Sequence, residues 1–348
     1  MKTQYEKLNN ILVESNNVSD LYKPSSFWAD ASEAIVDEVN EFGVDNFRRL
    51  ECALGYFVPN YGIPANSFDS NIEREIYDFI DECGSKKQTL AMKEFLSGYS
   101  HALSDYRVFK SADNPNRKPY LHNFTESDYG NPIEQFSFDN KKYSRSALNY
   151  ILGLCFLKKY LNIDDTINSV LEIGGGFGTL GEILSFNEGI KYIDVDIPPM
   201  SFIAQKYLSS VYGKDVSGLD KGKALVKVES LGSCTVINSW DIERLVGSID
   251  LFVNYISFQE MEPDIVNNYL TNVIRLKPKY ILLRNMREGK QVLKNKEDGG
   301  VRIPIKSDDY AAMIGVEYKL IDKSVVPFGY KTVDGFHSEL LLFGLGNE

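Results

Sequence analysis

The sequence predicts an α/β protein: a mostly parallel, Rossmann-like doubly wound sheet over residues 142–348, preceded by a mostly helical part over residues 1–141. Three observations carry this reading. From Ile167 onward, apolar runs of strand length alternate with stretches of helical periodicity, the pattern of βαβ units. A glycine loop, with Gly174, Gly175, Gly176 and Gly178, follows the first of those strands directly. The last two strands succeed one another with no helix between them, and such a return places the final strand antiparallel to its neighbours.

The elements follow in order. Helical periodicity runs through residues 5–15, 27–57, 71–82 and 86–106, with Pro64 and Gly84 as punctuation. Between 112 and 140 the composition shifts to Pro, Asn, Asp, Gly and aromatic residues, which reads as an ordered connecting segment. A first strand over 167–173 is apolar enough to be buried on both faces, and a second over 191–196 ends in Asp196. Pro198 and Pro199 then break the chain at the entry to a helix over 200–212 that Gly213 closes. Strands over 233–238, 249–256 and 280–284 follow, the last two separated by a helix over 264–276. Ser307 and Asp308 cap a helix ending at Gly315, and strands over 316–326 and 339–345 complete the sheet.

Composition narrows the function. With 38 Lys and Arg against 49 Asp and Glu, the net charge of −11 has the wrong sign for neutralising many phosphates, so no nucleic-acid partner is expected. Cys52, Cys83, Cys155 and Cys234 show no metal-ligand spacing, no carboxylate cluster has one either, and no metal is expected. The longest apolar run, 150–157, is far short of the roughly 20 residues of a membrane span, so no membrane insertion is expected. Nothing at the amino end reads as a signal peptide, and a reducing cytoplasm fits the cysteine usage. The expected partner is a small-molecule or carbohydrate acceptor, and a homo-oligomer is compatible with the sequence.

The glycine loop between two acid-tipped strands is half of a nucleoside site. The glycines remove Cβ atoms that would keep a ligand from the backbone, and Asp196 ends the second strand where a carboxylate accepts both ribose hydroxyls. Gly176, Gly178 and Gly181 also satisfy the dinucleotide pattern G-x-G-x-x-G, so an NAD(P)-dependent oxidoreductase is the first alternative. Glu172, two positions before the first glycine, favours S-adenosylmethionine (SAM): that ligand has no pyrophosphate, and its methionine ammonium needs a carboxylate.

Four stretches, 171–178, 194–199, 238–245 and 250–261, together resemble the sugar O-methyltransferases of bacterial glycan and glycosylated natural-product gene clusters. The likeness spans about 90 residues; Asp-Ile-Pro-Pro at 196–199 and Ser-Phe-Gln-Glu-Met at 257–261 narrow it to that family. It implies a class I methyltransferase sheet, SAM as cofactor with S-adenosylhomocysteine (SAH) as product, and a hydroxyl of a sugar or glycosylated small molecule as acceptor. The second alternative is a non-catalytic partner subunit that keeps the fold as a scaffold.

Methyl transfer mainly needs alignment within about 3 to 3.5 Å, although a base helps a sugar hydroxyl by roughly 10² to 10⁴. Three side chains are candidate bases. His337 opens the last strand, Glu260 follows the fourth in the position methyltransferases commonly use beside the reacting methyl, and His122 lies in the connecting segment. The candidate cofactor residues are Glu172, Gly174, Gly176, Gly178, Asp196 with Ile197 beside it, Trp240 and Asp241 for the adenine, and Asn254. Ser257, Gln259, Arg284 and Arg287 are the acceptor candidates, the arginines for a carboxylate or phosphate. The long segment 286–306 leaves the active-site end of the sheet and reads as a lid.

Overall fold

The computed structural model describes residues 4–58, 70–162, 165–214, 216, 218–220, 222, 224–294, 300–332 and 334–346. The helices are α1 (Glu6–Ser15), α2 (Ser26–Phe42), α3 (Glu51–Phe57), α4 (Ser70–Cys83), α5 (Lys86–Leu96), α6 (Tyr99–Ala112), α7 (Arg145–Lys158), α8 (Thr179–Ser185), α9 (Met200–Tyr212), α10 (Pro263–Arg275) and α11 (Ser307–Ile314). The strands are β1 (Phe136–Phe138), β2 (Lys141–Tyr143), β3 (Ser169–Ile173), β4 (Lys191–Asp196), β5 (Val226–Lys227), β6 (Cys234–Asn238), β7 (Leu245–Val246), β8 (Leu251–Tyr255), β9 (Tyr280–Met286), β10 (Tyr318–Ser324), β11 (Tyr330–Lys331) and β12 (His337–Leu345).

The main sheet runs in the order β10-β12-β9-β8-β3-β4-β6. The pairs among β6, β4, β3, β8 and β9 are parallel, and β12 is inserted antiparallel between β9 and β10. This is the doubly wound sheet with a reversed last strand that the sequence predicts. Chain order reverses between β3 and β8, and the cleft beyond the carboxyl ends at such a switch point is where open α/β sheets bind ligands.

Strand alternation sorts the two faces. Val170 and Tyr192 belong to the core beneath α7, α8 and α9, whereas Leu171, Ile173, Ile193 and Val195 face α10 and α11. The amino-terminal helices join the first of these cores: Leu8, Ile35, Phe47 and Phe109 pack in one cluster with Leu148, Phe156 and Leu180. The core is therefore continuous across position 141, the boundary expected between a helical domain and a sheet domain.

Three local features differ from the sequence reading. The periodic stretch 27–57 is three elements, because Gly43 and Leu50 leave helical geometry and a 3₁₀ segment, Val44–Arg49, lies between them. The stretch 86–106 divides likewise at Gly98, whose φ of 81° is left-handed. In the connecting segment, Asp139 and Asn140, with φ of 48° and 61°, turn β1 into β2 as a two-residue hairpin.

Residues 150–157 lie within α7, which Ser144 caps by accepting from the Ala147 N–H at 3.1 Å and which is buried nearly all round. Gly153 lets the Tyr255 ring against this helix: a Cβ there would stand 1.5 Å from the Tyr255 hydroxyl oxygen. Gly→Ala in an exposed helix stabilises by about 1 kcal/mol, but here overpacking should reverse the sign. Gly153→Ala should destabilise by about 1 to 3 kcal/mol in urea unfolding. A gain in stability would contradict the packing described.

Candidate functional site

The site begins with the turn after β3. Its backbone is pinned to β4: Gly174 N–H donates to the Val195 carbonyl at 2.9 Å, Gly175 N–H to Asp194 at 3.3 Å and Gly176 N–H to Asp196 at 2.9 Å. Gly174 and Gly176 have φ of 73° and 64°, and a Cβ on Gly174 would meet the Ser257 hydroxyl at 2.3 Å. No residue but glycine fits this path.

Two hollows meet over the loop, sharing Trp28, Phe57, Gly174, Gly176 and Ser257. The inner one lies between Asp196 and a mostly apolar wall of Ile197, Met200, Met261 and Ile265. The outer one is wider and more polar; Ser146, Asn149, Tyr150, Gln259, Glu260 and Lys290 line part of it. An aromatic wall closes its other side. Phe27 and Trp28 from α2 and Tyr56 and Phe57 from α3 stand with ring centroids 5.4 to 6.1 Å apart.

Three carboxylates of the loop region are buried on one face of the sheet. Glu172 accepts from the Tyr150 hydroxyl at 2.8 Å and the Tyr192 hydroxyl at 2.5 Å. Asp196 accepts from Gly176 N–H and, at 2.7 Å, from Ile197 N–H. Asp194 accepts from Gly175 N–H, and its buried Oδ2 has no hydrogen-bond partner among the described residues. Burial pushes Glu172 up to about 7, with Asp196 adding repulsion, and burial likewise pushes Asp196 up to about 7. Asp194 is raised well above the usual range by burial and then by its two acidic neighbours.

Glu260 is held differently: Lys290 donates to one oxygen at 2.8 Å and Trp28 Nε1 to the other at 2.9 Å, and Lys290 also lies over the Phe27 ring. Beside it Ile256 has φ of 71°, a true outlier for a β-branched residue and a strain of about 1 to 3 kcal/mol. Such strain collects where surrounding structure fixes a functional turn.

The expected site residues separate into those on the cleft and those off it. Gly174, Gly176, Asp196, Ile197, Ser257, Gln259 and Glu260 line it. Glu172 lies beneath it, bonded to the two tyrosines. Asn254 is an internal strut, donating to the Ile173 carbonyl and Ser257 and accepting from Phe258 N–H. Gly178 is the N-cap of α8 and packs on Leu208.

The other expected residues line neither hollow. His337 pairs through Nδ1 with Glu288 at 2.7 Å, and period-two alternation gives the cleft its neighbour Ser338 instead. His122 is exposed on a 3₁₀ turn away from both hollows. Trp240 packs between the two cores, and Asp241 is bound to Arg244 at 2.8 Å. Arg284 is fully buried, donating to the carbonyls of Asn149 and Phe328 with its guanidinium over the Tyr255 ring. Arg287, itself exposed, lies 3.5 Å from the buried Glu339. In the segment expected to be a lid, Lys290, Val301 and Ile305 are buried and Val292 bridges to Val301, so its described parts are docked; residues 295–299 lie outside the described residues.

Sequence reasoning missed the roof of the cleft. Lys23, Ser25, Trp28 and Phe57 all line the inner hollow. The one available signal was the cluster of aromatic residues at 27–28 and 56–57 in helical stretches, which by itself says only that a face is covered.

No family model matches the chain, and no curated protein is significantly similar to it. Solved structures with a partly similar fold include the mitomycin 7-O-methyltransferase MmcR, at 13% identity and TM-score 0.37, covering 58% of this chain and 55% of that one. The chain thus spans about half the length of that protein. The magnesium protoporphyrin IX methyltransferase ChlM from Synechocystis PCC 6803 with bound SAH matches at 16% identity and TM-score 0.40, over 58% of this chain and 84% of that one. The PH0226 protein from Pyrococcus horikoshii OT3 matches at 15% identity and TM-score 0.39, over 58% of this chain and 92% of that one.

The raised carboxylates give a test of the free protein. Between about pH 4.5 and 7 the folded state holds protons that the unfolded chain has released. Their stabilisation is present below that window and is lost as pH rises through it. Unfolding by urea without ligand should show this fall, and Glu172→Gln should flatten it by on the order of 3 kcal/mol at most. Parallel curves for the two proteins would contradict the burial of an ionisable Glu172.

Proposed function

We propose that the protein is a SAM-dependent O-methyltransferase acting on a hydroxyl of a sugar or glycosylated small molecule. One observation carries the donor: three buried carboxylates, Glu172, Asp194 and Asp196, surround the glycine loop with no Lys or Arg paired to them among the described residues. Such a site suits a ligand with positive charge and opposes the pyrophosphate of a dinucleotide. The residues present fit SAM: Asp196 for the ribose, the Ile197 and Met261 wall for the adenine, and the close-approaching Gly174 and Gly176 backbone for the methionine part.

When bound, SAM supplies an electrophilic methyl on a cationic sulfur; the C–S electron pair stays on sulfur as the new O–CH₃ bond forms. The chain aligns and shields the acceptor and takes its proton. In this reading the wall of Phe27, Trp28 and Tyr56 stacks on the C–H face of a sugar ring. Glu260, bonded to Lys290 at 2.8 Å, receives the hydroxyl proton.

Calorimetry tests the donor. SAM should bind and NADH should not, and Asp196→Ala should weaken SAM by roughly 1.5 to 3 kcal/mol, the range for hydrogen bonds to a charged group. Tight NADH binding, or an unchanged affinity in a folded variant, would overturn the assignment. For the acceptor, sugars can be screened with methyl-labelled SAM. With any that turns over, Glu260→Gln should lower the rate by about 10² or more while His337→Ala leaves it within a few-fold. The opposite ranking would reject Glu260 as the base.

A further inference from the structure

We infer that the buried trio Glu172, Asp194 and Asp196 makes the site discriminate between donor and spent donor by charge, with Asp194, which touches neither hollow, as the residue that sets the discrimination. The inference rests on the SAM reading above. SAM carries a sulfonium and an ammonium against one carboxylate, a net single positive charge; SAH, having lost the sulfonium charge with the methyl, is neutral overall.

The geometry makes that one charge count. Glu172 and Asp194 are register partners on adjacent strands, both fully buried, and Asp196 follows two residues on along the same face, 8% exposed. The bonds they accept come from neutral donors, among them two tyrosine hydroxyls and the N–H groups of Gly175, Gly176 and Ile197. The titratable groups around them are neutral too. Tyr150 of α7, Tyr192 of β4, Tyr255 of β8, Tyr269 of α10 and Cys234 of β6 are all raised by burial. Of the cations on the rims, Lys23 is bonded to Asp20 at 2.9 Å and Lys290 to Glu260 at 2.8 Å.

Carboxylates in this arrangement resist ionising together, and burial has already raised them into the neutral range. A cationic ligand favours their ionised form and so binds with release of protons, more tightly as pH rises. A neutral ligand gains nothing comparable. Asp194 touches no part of the hollows, since Gly175, whose N–H it accepts, stands between it and the cleft, a Cβ there meeting Asp194 Oδ1 at 2.6 Å, so its charge reaches a ligand through the field. The consequence for turnover is that methyl transfer itself loosens the product.

The test is calorimetry on the whole chain with SAM, SAH and sinefungin, which carries an ammonium where SAM has its sulfonium. From about pH 6 to pH 8, SAM and sinefungin should each tighten by about tenfold or more per proton released, and SAH by less than about threefold. Titration at pH 6.5 in two buffers of different ionisation enthalpy should show SAM releasing more protons than SAH, a readout that needs no variant. Asp194→Asn should narrow the SAM to SAH affinity ratio at pH 8 by about fivefold or more and leave SAH binding nearly unchanged. SAM and SAH binding with the same pH slope, or sinefungin following SAH, would overturn the charge mechanism while leaving the cofactor in place. Failure of all three ligands to bind would overturn the cofactor reading and this one with it.

Discussion

The site depends on one constraint: three successive N–H groups of the turn after β3 donate to β4, and two of those acceptors are carboxylates that folding has taken out of water. Everything near the loop answers to it. Side chains are excluded from the turn because Asp194, Tyr192 and Ser257 occupy the space a Cβ would need. Tyr150 reaches from α7 to satisfy Glu172, and its ring stacks on Tyr255 at 4.7 Å, which in turn requires Gly153. A demand of the glycine loop is thus transmitted through two aromatic rings to the packing of a helix on the sheet.

A second buried charge system fixes the amino-terminal part. Arg48, in the 3₁₀ segment before α3, meets Glu126 at 2.7 Å, and its guanidinium also lies near Tyr207 of α9, which donates to Glu182 of α8 at 2.6 Å. Removing one member of such a pair leaves an uncompensated charge, which is why the segment is held in register with the sheet. That register is what delivers Trp28 and Phe57 over the loop. The two systems are opposite in design: one pairs its acids with a buried arginine, and the other leaves its acids without a basic partner among the described residues, beside the hollows.

Much of the sheet was legible because its signals are local. Buried parallel strands read as apolar runs, and the punctuation by Pro199, Gly213 and Gly315 falls at observed helix ends. The residues of the loop, Asp196, Ser257, Gln259 and Glu260 reach the cleft because each ends a strand or comes soon after a strand end. The failures are equally physical. Helix α7 is buried on nearly every side, so its apolar residues show no amphipathic period to read. Gly43 and Gly98 interrupt stretches whose apolar spacing continues through them. At β12 the side that meets the cleft is decided by a single residue of alternation, and His337 and Ser338 share the same topological argument. The roof could not be read at all, since contacts such as Trp28 with Glu260 join positions 232 apart.

The same roof ties the hollow to the order of assembly. Its lining combines Lys23, Ser25 and Trp28, which precede the sheet in sequence, with Asp196, Ile197, Ser257 and Met261 at or beyond the strand ends. The hollow therefore does not exist until α2 and the sheet have docked, and contacts of such long sequence separation form slowly. A molecule that fits the hollow would therefore also report that this docking is complete.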